Sequence, residues 1–365
     1  MKSTITHDGR DGSGRDGAGG PAGHGAGRGG LGGRRPTMSD VAERCGVSVK
    51  TVSRVVNDLP GASPATVARI KAAIDELGFR RNDLAMDLRQ AQATSTIGIV
   101  IEDVSNPFYG PMIRAAEERA TREGVFIVTA SSDEDQEREE ELIRALCARR
   151  VAGLIVVSSA NDHSVLAAEI DRGLPVVLVD RPSEDLACDT VVLQNVLGAR
   201  SAVEHLIRQQ HRRIALVGDY EHVNTVRDRR RGYIEALQAH GIEIDQSLIK
   251  VGRHLAGEAA AATHELFGAA QPPTAIFATN NRATAGVLRA LRDRHEQLAV
   301  VGFDDFEYAD MLVPAVTVVW SDPAEMGRIA VDRLFARLRG DPSPPRMIEL
   351  PTRLIVRGSG EIRPR

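Results

Sequence analysis

The sequence has no uninterrupted apolar run of about 18 residues, which is the length that a membrane-spanning helix needs. Its first residues also lack the apolar core of a secretory signal, which predicts a cytoplasmic chain without membrane contact. Cysteine is scarce: Cys45, Cys147 and Cys188 are scattered and have no metal-ligand spacing. We therefore expect three reduced thiols and no bound metal ion.

Motifs of nucleotide-dependent and hydrolytic chemistry are also missing. No GxGxxG follows the first predicted strand, and neither a P-loop nor a GxSxG elbow occurs. The histidines show no HxxxH or HExxH spacing. Asp304 and Asp305 resemble a carboxylate pair, but adjacent residues at a strand end usually point apart. The sequence therefore predicts a protein that is not an enzyme and has no cofactor, with a hydrolase or kinase as a minor alternative.

Charge is distributed unevenly along the chain. The whole sequence has 46 Lys and Arg against 50 Asp and Glu, a net charge of −4. Residues 34–92 carry 10 basic and 7 acidic side chains, residues 1–33 carry 4 and 3, and the remainder therefore carries a net charge of −8. A mildly basic segment joined to an acidic body fits a nucleic-acid-binding head and a ligand-sensing body.

Residues 1–36 are rich in glycine and have almost no apolar side chains. Such a segment cannot repay the entropy of ordering, so we expect a disordered tail whose arginines make weak contacts with phosphates. An equally weighted alternative is that translation starts near Met38 and that the tail is not made.

The segment TMSDVAERCGVSVKTVSRVVN (37–57) predicts two short helices joined by a tight turn. The first helix has an apolar stripe formed by Val41, Ala42 and Cys45. Gly46 has the backbone freedom to end this helix, and Ser48 is placed to cap a second helix over 49–56. This pattern is typical of a helix-turn-helix, whose second helix enters the DNA major groove. The alternative is a small helical hairpin inside a larger core.

A third helix is predicted over SPATVARIKAAIDELGF (63–79), with a serine cap, a proline at its first position and a glycine at its end. Further motifs follow in order: TIGIVIEDVSNPF (96–108), RRRGY (229–233), GFDD (302–305) and LPTRLIVRGS (350–359). From residue 37 to the end, the chain resembles the lactose-repressor (LacI) family of bacterial transcription regulators. The resemblance implies a homodimer that binds near-palindromic operator DNA.

The resemblance assigns DNA contacts to the second helix. Val49, Lys50 and Arg54 are expected against base edges, which suits arginine and lysine facing guanine and valine facing a thymine methyl group. Phosphate contacts are expected from Ser48, Thr51, Ser53 and Asn57. For each residue the alternative is a solvated helix face.

Residues 83–95 correspond in the family to a hinge helix whose leucine wedges into the minor groove. Leu88 takes that place, followed by Arg89. The family's proline is replaced here by Arg81, and Met86 and Asp87 depart from the usual pattern. The aspartate should weaken DNA binding by repulsion, which the two arginines could offset.

The body alternates strands with helices, which predicts parallel sheets covered on both faces. Strands are predicted in TIGIVI (96–101), VFIVTA (125–130), AGLIVVS (152–158), PVVLVD (175–180), RIALVGD (213–219), AIFAT (275–279) and LAVVGFD (298–304). The fold class is therefore an all-α helix-turn-helix head and an α/β body of two doubly wound parallel-sheet lobes. By resemblance, this body is similar to periplasmic binding proteins.

The resemblance also sets the domain boundaries. We expect a tail (1–36), a DNA-binding domain (37–82), a hinge and linker (83–95), and an effector-binding and dimerisation domain (96–365). The last domain has an N-lobe (about 96–190 and 322–349) and a C-lobe (about 191–321 and 350–362). The chain is expected to pass between the lobes three times, near 190, 321 and 349. The chain has no leucine-zipper-like tail after its last motif, which favours a dimer.

Ligands of such sheets bind beyond the carboxyl ends of the strands, where polar residues of this chain collect. By resemblance, the effector-binding residues are Phe108, Asp180, Arg229, His254, Asn280 and Asp304. Aspartate and asparagine suit sugar hydroxyls, and arginine can hold a hydroxyl pair or a carboxylate. The alternative for each is a helix cap or a loop closure.

Two departures affect the expected ligand. The family's aromatic stacking position falls on His254, and the usual Asn-Asp pair reads Asn280-Asn281, which removes a charge. A sugar remains the default effector, and a sugar phosphate, a sugar acid or a nucleoside stays open. The sequence thus predicts an effector-controlled regulator, and a repressor in particular. A plain binding module, or a regulator that has lost its effector response, is the other class of function.

Overall fold

The computed structural model describes residues 36–56, 59–77, 96–160, 162–183 and 185–364. The chain divides into two compact units, Met1–Met86 and Asp87–Arg365. Several expected features lie outside the described residues: the tail up to residue 35, the phosphate contact Asn57, and the hinge with Leu88 and Arg89.

Three helices form the described part of the first unit: α1 (Met38–Cys45), α2 (Val49–Val56) and α3 (Pro64–Leu77). The α1 helix ends at Gly46, whose φ of 62° is the left-handed conformation that favours glycine. The side chains that form the core are Val41, Ala42, Cys45, Val52, Val55, Ile70 and Ala73. This small core holds α2 against α1 and α3, while Val49, Lys50 and Arg54 of α2 are exposed.

The second unit contains two six-stranded sheets. The first sheet has the order β11-β5-β4-β3-β1-β2 and is parallel throughout. Its strands are β1 (Thr96–Ile101), β2 (Phe126–Ser131), β3 (Leu154–Val156), β4 (Val176–Val179), β5 (Asp189–Leu193) and β11 (Met347–Leu350). Its helices are α4 (Tyr109–Thr121), α5 (Gln136–Ala148), α6 (Ser164–Asp171) and α11 (Pro323–Leu338).

The second sheet has the order β12-β10-β9-β8-β6-β7. Its strands are β6 (Ile214–Val217), β7 (Ile249–Lys250), β8 (Ala275–Ala278), β9 (Ala299–Phe303), β10 (Thr317–Trp320) and β12 (Arg353–Ile355). Its helices are α7 (Asn195–Arg208), α8 (Asn224–Ala239), α9 (Ala256–Phe267) and α10 (Asn281–Arg294). The predicted class of two doubly wound parallel-sheet lobes is confirmed, with one edge strand, β12, antiparallel to β10.

The two sheets repeat one topology, so that β4 and β9 occupy equivalent places, as do β5 and β10. The chain passes between the lobes after Leu193, after Trp320 and after Leu350. The first passage follows the buried residues 191–193, which belong to β5. Trp320 lies at the second passage, with the Arg353 guanidinium 4.3 Å from its ring centroid.

The α11 helix returns to the first lobe and packs against α4. Gly327 makes this possible, because a Cβ at that position would lie 2.1 Å from the carbonyl oxygen of Met112. The two lobes contact each other through polar residues that follow their strands, as Asn281 does with Asn106 and Arg282 with Asp103.

Candidate functional site

The outer face of α2 carries the expected base-reading residues. Val49 is 47% exposed, and Lys50 and Arg54 are exposed as well. The Arg54 guanidinium lies beside Gly61, where a Cβ would be 3.2 Å from its Cζ. All three side chains are therefore accessible to a groove.

The expected phosphate contacts have local roles in the helix. The Ser48 hydroxyl accepts a hydrogen bond from the Thr51 amide at 3.1 Å, which makes Ser48 the cap that the sequence predicts. The hydroxyls of the two residues are also 2.8 Å apart. Ser53 is half-buried. Exposed hydroxyls at a helix N-terminus are nonetheless compatible with phosphate binding.

Arg229 is the centre of the polar cluster between the lobes. It lies in α8 and is 4% exposed. Its Nε donates to Asn195 Oδ1 at 2.8 Å, and its Nη1 donates to the Thr279 carbonyl at 2.6 Å and to Asp304 Oδ2 at 3.2 Å. The guanidinium stacks 3.7 Å from the Phe303 ring centroid. Arg229 is therefore held in place by three hydrogen bonds and one stacked ring.

Asp180 and Asp304 occupy equivalent positions, directly after β4 and after β9. Both have left-handed backbone, with φ of 65° and 66°, which is uncommon for aspartate. Burial raises the pKa of Asp304 to about 6, against the opposing effect of Arg229. Burial likewise raises the pKa of Asp180. Strained, buried carboxylates of this kind are typical of binding sites.

His254 belongs to a second group at this edge. Its Nδ1 lies 3.1 Å from both carboxylate oxygens of Asp219, and this hydrogen bond raises the pKa of His254. Burial pushes the pKa of Asp219 upward, but the contacts with His254, the Tyr220 amide and Arg181 together hold that pKa below its usual value. The His254 ring stacks on Tyr220 with centroids 5.3 Å apart, and Tyr220 also stacks on His222. This three-ring stack was not predicted from the sequence.

Asn280 has a structural role, as the alternative interpretation of it allowed. Its Oδ1 accepts from the Ala283 amide at 2.7 Å and caps α10. The neighbouring Asn281 instead donates from Nδ2 to Asn106 Oδ1 of the other lobe at 2.9 Å. Asn281 is therefore the residue of the pair that contacts across the cleft.

Charged contacts across the cleft come from Arg282, which the sequence analysis did not single out. Its guanidinium contacts Glu102 Oε1 at 2.8 Å and also pairs with Asp103, both in the other lobe. Arg181 lies on the far side of Glu102, 3.5 Å from Oε2, and pairs with Glu134. Burial raises the pKa of Glu102 to about 7 despite these arginines.

Phe108 is 7% exposed and packs edge-on against Tyr109, with ring centroids 5.2 Å apart. Most of its ring surface is therefore inside the first lobe. Asp304 and Asp305 point apart as expected, since Asp305 pairs with Arg357 at 2.6 and 2.7 Å. A paired catalytic role for the two carboxylates has no geometric support.

Replacement of Glu102 by Gln should remove a pH dependence from the stability of the body. The pKa of Glu102 is raised from 4.5 to about 7 in the folded chain. This group therefore stabilises the fold fully below its unfolded pKa, and that contribution is lost as the pH rises to about 7. As the pH rises from about 5 to about 8, the free energy of unfolding of the wild type should therefore fall relative to that of Glu102→Gln. Urea unfolding at both pH values measures the free energy of unfolding of each variant, with Glu137→Gln at an exposed position as the control. The same pH dependence in wild type and Glu102→Gln would contradict this prediction.

Among the described residues, no helix is long and apolar enough to cross a membrane. In the same part of the chain, no group of three or more His, Cys, Asp or Glu side chains could hold a metal ion.

Residues 37–82 match the model of bacterial regulatory proteins of the lacI family, and residues 203–360 match that of the periplasmic binding protein-like domain. The transcriptional regulator GalS of Salmonella typhimurium is 35% identical over 81% of this chain and 88% of its own. The CelR–cellobiose complex is 31% identical, with a TM-score of 0.68 over 89% of this chain and 100% of its own. The lac repressor dimer bound to operator and an anti-inducer is 27% identical, with a TM-score of 0.76 over 90% and 99%. The chain therefore belongs to the LacI family of bacterial transcriptional regulators.

Proposed function

We propose that this regulator represses transcription as a homodimer and that a small polyhydroxylated effector in the cleft controls its operator affinity. The observation that carries the effector half is the buried Arg229–Asp304 pair with Asp180 opposite, at the carboxyl ends of both sheets. Polar groups that converge at this edge are what a small-molecule site requires. The relative CelR was solved with cellobiose, which supports a sugar or sugar derivative here. A non-enzymatic, cytoplasmic role is part of the proposal.

An exposed apolar surface supports the homodimer. Tyr308, Met311, Leu312 and Val313 are 59%, 73%, 41% and 99% exposed. Two of them, Leu312 and Val313, also line a groove of about 530 Å³ beside α10. Contiguous apolar surface of this kind marks an interaction site, and two-fold symmetry would present two heads to two half-sites. The relative solved on operator DNA is itself a dimer.

The effector half is tested by thermal shift of the full chain against sugars and their derivatives, and by operator binding with and without the stabilising compound. Asp304→Ala should abolish the shift and the change in operator affinity but spare basal DNA binding. Asp305→Ala, whose carboxylate contacts Arg357, is the matched control. An unchanged response in Asp304→Ala would remove this residue from the site.

Replacement of Arg54 by Ala should weaken specific operator binding by about 1–3 kcal/mol and relax the choice at one base pair. The cause is the loss of a bidentate contact from the exposed face of α2. Binding to random DNA should change little, and titration of both DNAs at one salt concentration measures the difference. If both affinities fall equally, Arg54 contacts phosphates and does not read a base.

A further inference from the structure

Side chains of the two lobes contact each other directly across the cleft. Asn281 and Arg282 lie in the first turn of α10, in the second lobe. Asn281 Nδ2 donates to Asn106 Oδ1 at 2.9 Å. The Arg282 guanidinium contacts Glu102 Oε1 at 2.8 Å and pairs with Asp103. These three partners follow β1 of the first lobe, and we call the five side chains the clasp.

The charged part of the clasp is largely removed from water. The side chains of Glu102 and Arg282 are 6% and 15% exposed, and that of Asp103 is 27% exposed. Burial would raise the pKa of Asp103, but the hydrogen bonds from Ser105 and the Arg282 guanidinium together hold that pKa below its usual value. Such an ion pair adds little net free energy, because both charges give up hydration, yet loss of one partner leaves the other uncompensated. The clasp can therefore open at moderate cost, and its strength depends on the Arg282 charge.

A row of rings connects the clasp with a second contact between the lobes. Arg282 Nη1 lies 3.0 Å from Nε2 of His254, which is the first ring of the three-ring stack. The last ring is His222. Two residues further along the chain, Asn224 Nδ2 donates to the carbonyl of Pro182 in the first lobe at 2.7 Å. The stack thus joins two cross-lobe contacts along the second lobe, and we expect both contacts to open together.

The clasp adjoins the proposed effector site. On one side, Asn281 lies two residues after the carbonyl that accepts from Arg229. On the other side, Glu102 contacts Arg181, the neighbour of Asp180 in the chain. An effector that contacts both lobes favours the arrangement in which they lie close together, and the clasp favours the same arrangement. Both should therefore bias one equilibrium.

We propose that Arg282 is a positioning residue that holds the lobes together through the clasp before the effector binds, and thereby sets both the effector affinity and the basal operator affinity. The inference rests on the proposed function, because it assigns the regulation of the same cleft. Without the clasp the lobes should be apart for more of the time. The effector would then have to supply the free energy that closes them, which weakens its apparent affinity.

Hydrogen exchange of the purified full chain tests the clasp without any effector. In Arg282→Met, the amides of residues 102–108 and 222–226 should exchange at least about twofold faster than in wild type. Residues 222–226 are decisive, because they lie at the other end of the stack and local loss of the ion pair would not affect them. Arg294→Met is the matched control, since Arg294 lies in the same helix and pairs with Glu296 of its own lobe. Wild-type exchange over 222–226 in Arg282→Met would overturn the inference.

Operator affinity separates this role from a merely structural one. Arg282→Met should change the basal operator affinity by about twofold to thirtyfold. The direction should be opposite to the change that a saturating effector causes in wild type, because the effector closes the lobes and the variant opens them. The effector is the sugar or derivative with the largest thermal shift, and its Kd should rise in the variant. A change in the same direction as the effector's, or no change although the effector acts on wild type, would contradict the proposal.

Two further variants keep the test independent of the folding of Arg282→Met. Asp103→Asn removes the charge from the other lobe and keeps an acceptor for Ser105, so it should shift exchange and operator affinity in the same direction. Arg282→Lys keeps a charge for Asp103 and should restore part of the protection from exchange. The effects of Asp103→Asn and Arg282→Met should be less than additive, since both remove one contact, and full additivity would refute the clasp.

Failure of the proposed function gives a different result. If both contacts loosened in Arg282→Met but no compound altered the operator affinity of the wild type, the clasp would stand and effector control would fail.

Discussion

Replacement of Arg229 by Met should lower the free energy of unfolding of the body by about 3–5 kcal/mol, the usual cost of removing one partner of a buried ion pair. The methionine fills part of the space but leaves Asp304 without its guanidinium at 6% exposure. It also leaves the Asn195 Oδ1 and the Thr279 carbonyl without their donor. Each of these groups is buried, so water cannot replace the lost contacts at no cost.

Urea unfolding of the full chain measures this change, followed by far-UV circular dichroism. Arg231→Met is the matched control, because Arg231 lies two residues along the same helix with its side chain 61% exposed, and its ion pairs should contribute little. A loss below about 1 kcal/mol in Arg229→Met would mean that the cluster rearranges and that Arg229 is not its centre.

Replacement of Ile70 by Ala should unfold the DNA-binding unit while the body stays folded. Ile70 is fully buried, and loss of such a side chain costs about 2–5 kcal/mol. The core of this unit is formed by a few small side chains, so the free energy of unfolding of the unit should be small. Because the two units are separate compact bodies, the thermal transition of the body should be unchanged.

Operator binding and calorimetry of the same preparation measure the two effects. The control is Asp75→Ala, an exposed position in the same helix, which should retain operator binding. If Ile70→Ala lowered the transition of the body as well, the two units would unfold cooperatively and the separation would be wrong. If it retained operator affinity, the core of the head would tolerate the cavity.

Local patterns predicted the head well because its helices are defined by caps and by apolar spacing. The second helix begins at Val49 and ends at Val56, as the Ser48 cap and the valine stripe indicate. The seven apolar runs of the body are all strands in the structure. Five strands of the described residues were not predicted, β5, β7, β10, β11 and β12, of which β7 and β12 are only two and three residues long. Runs of that length have no period that a sequence pattern can show.

The contacts of the site were predicted less completely than the strands. They depend on which side chains reach from one lobe to the other, and this cannot be seen from local sequence. Asp180, Arg229 and Asp304 lie close together in the structure, and their role in binding an effector stays a prediction. Asn280 and Asn281 have different roles because of their places in the first turn of α10. Asn280 caps the helix, whereas Asn281 donates a hydrogen bond to the other lobe. No local pattern separates these roles.

The cross-lobe ion pairs were missed for a related reason. Arg282 and Glu102 are 180 positions apart in the sequence and meet only because two sheets with equivalent topology end at one edge. The motif containing Glu102 carried the resemblance, but its carboxylate was not connected with any cation. The Tyr220–His254 stack was missed because a ring contact between separate loops leaves no periodic signal.

The lone tryptophan of the chain lies at the second passage between the lobes, beneath the guanidinium of Arg353. The two side chains come from β10 and β12, the strands that adjoin the last two passages. Trp320 and Arg353 are cross-strand partners in the same sheet, so their contact stays within one lobe when the two lobes move relative to each other. The emission of this single residue should therefore report the unfolding of the second sheet, which makes the stability of that lobe measurable by fluorescence without a label.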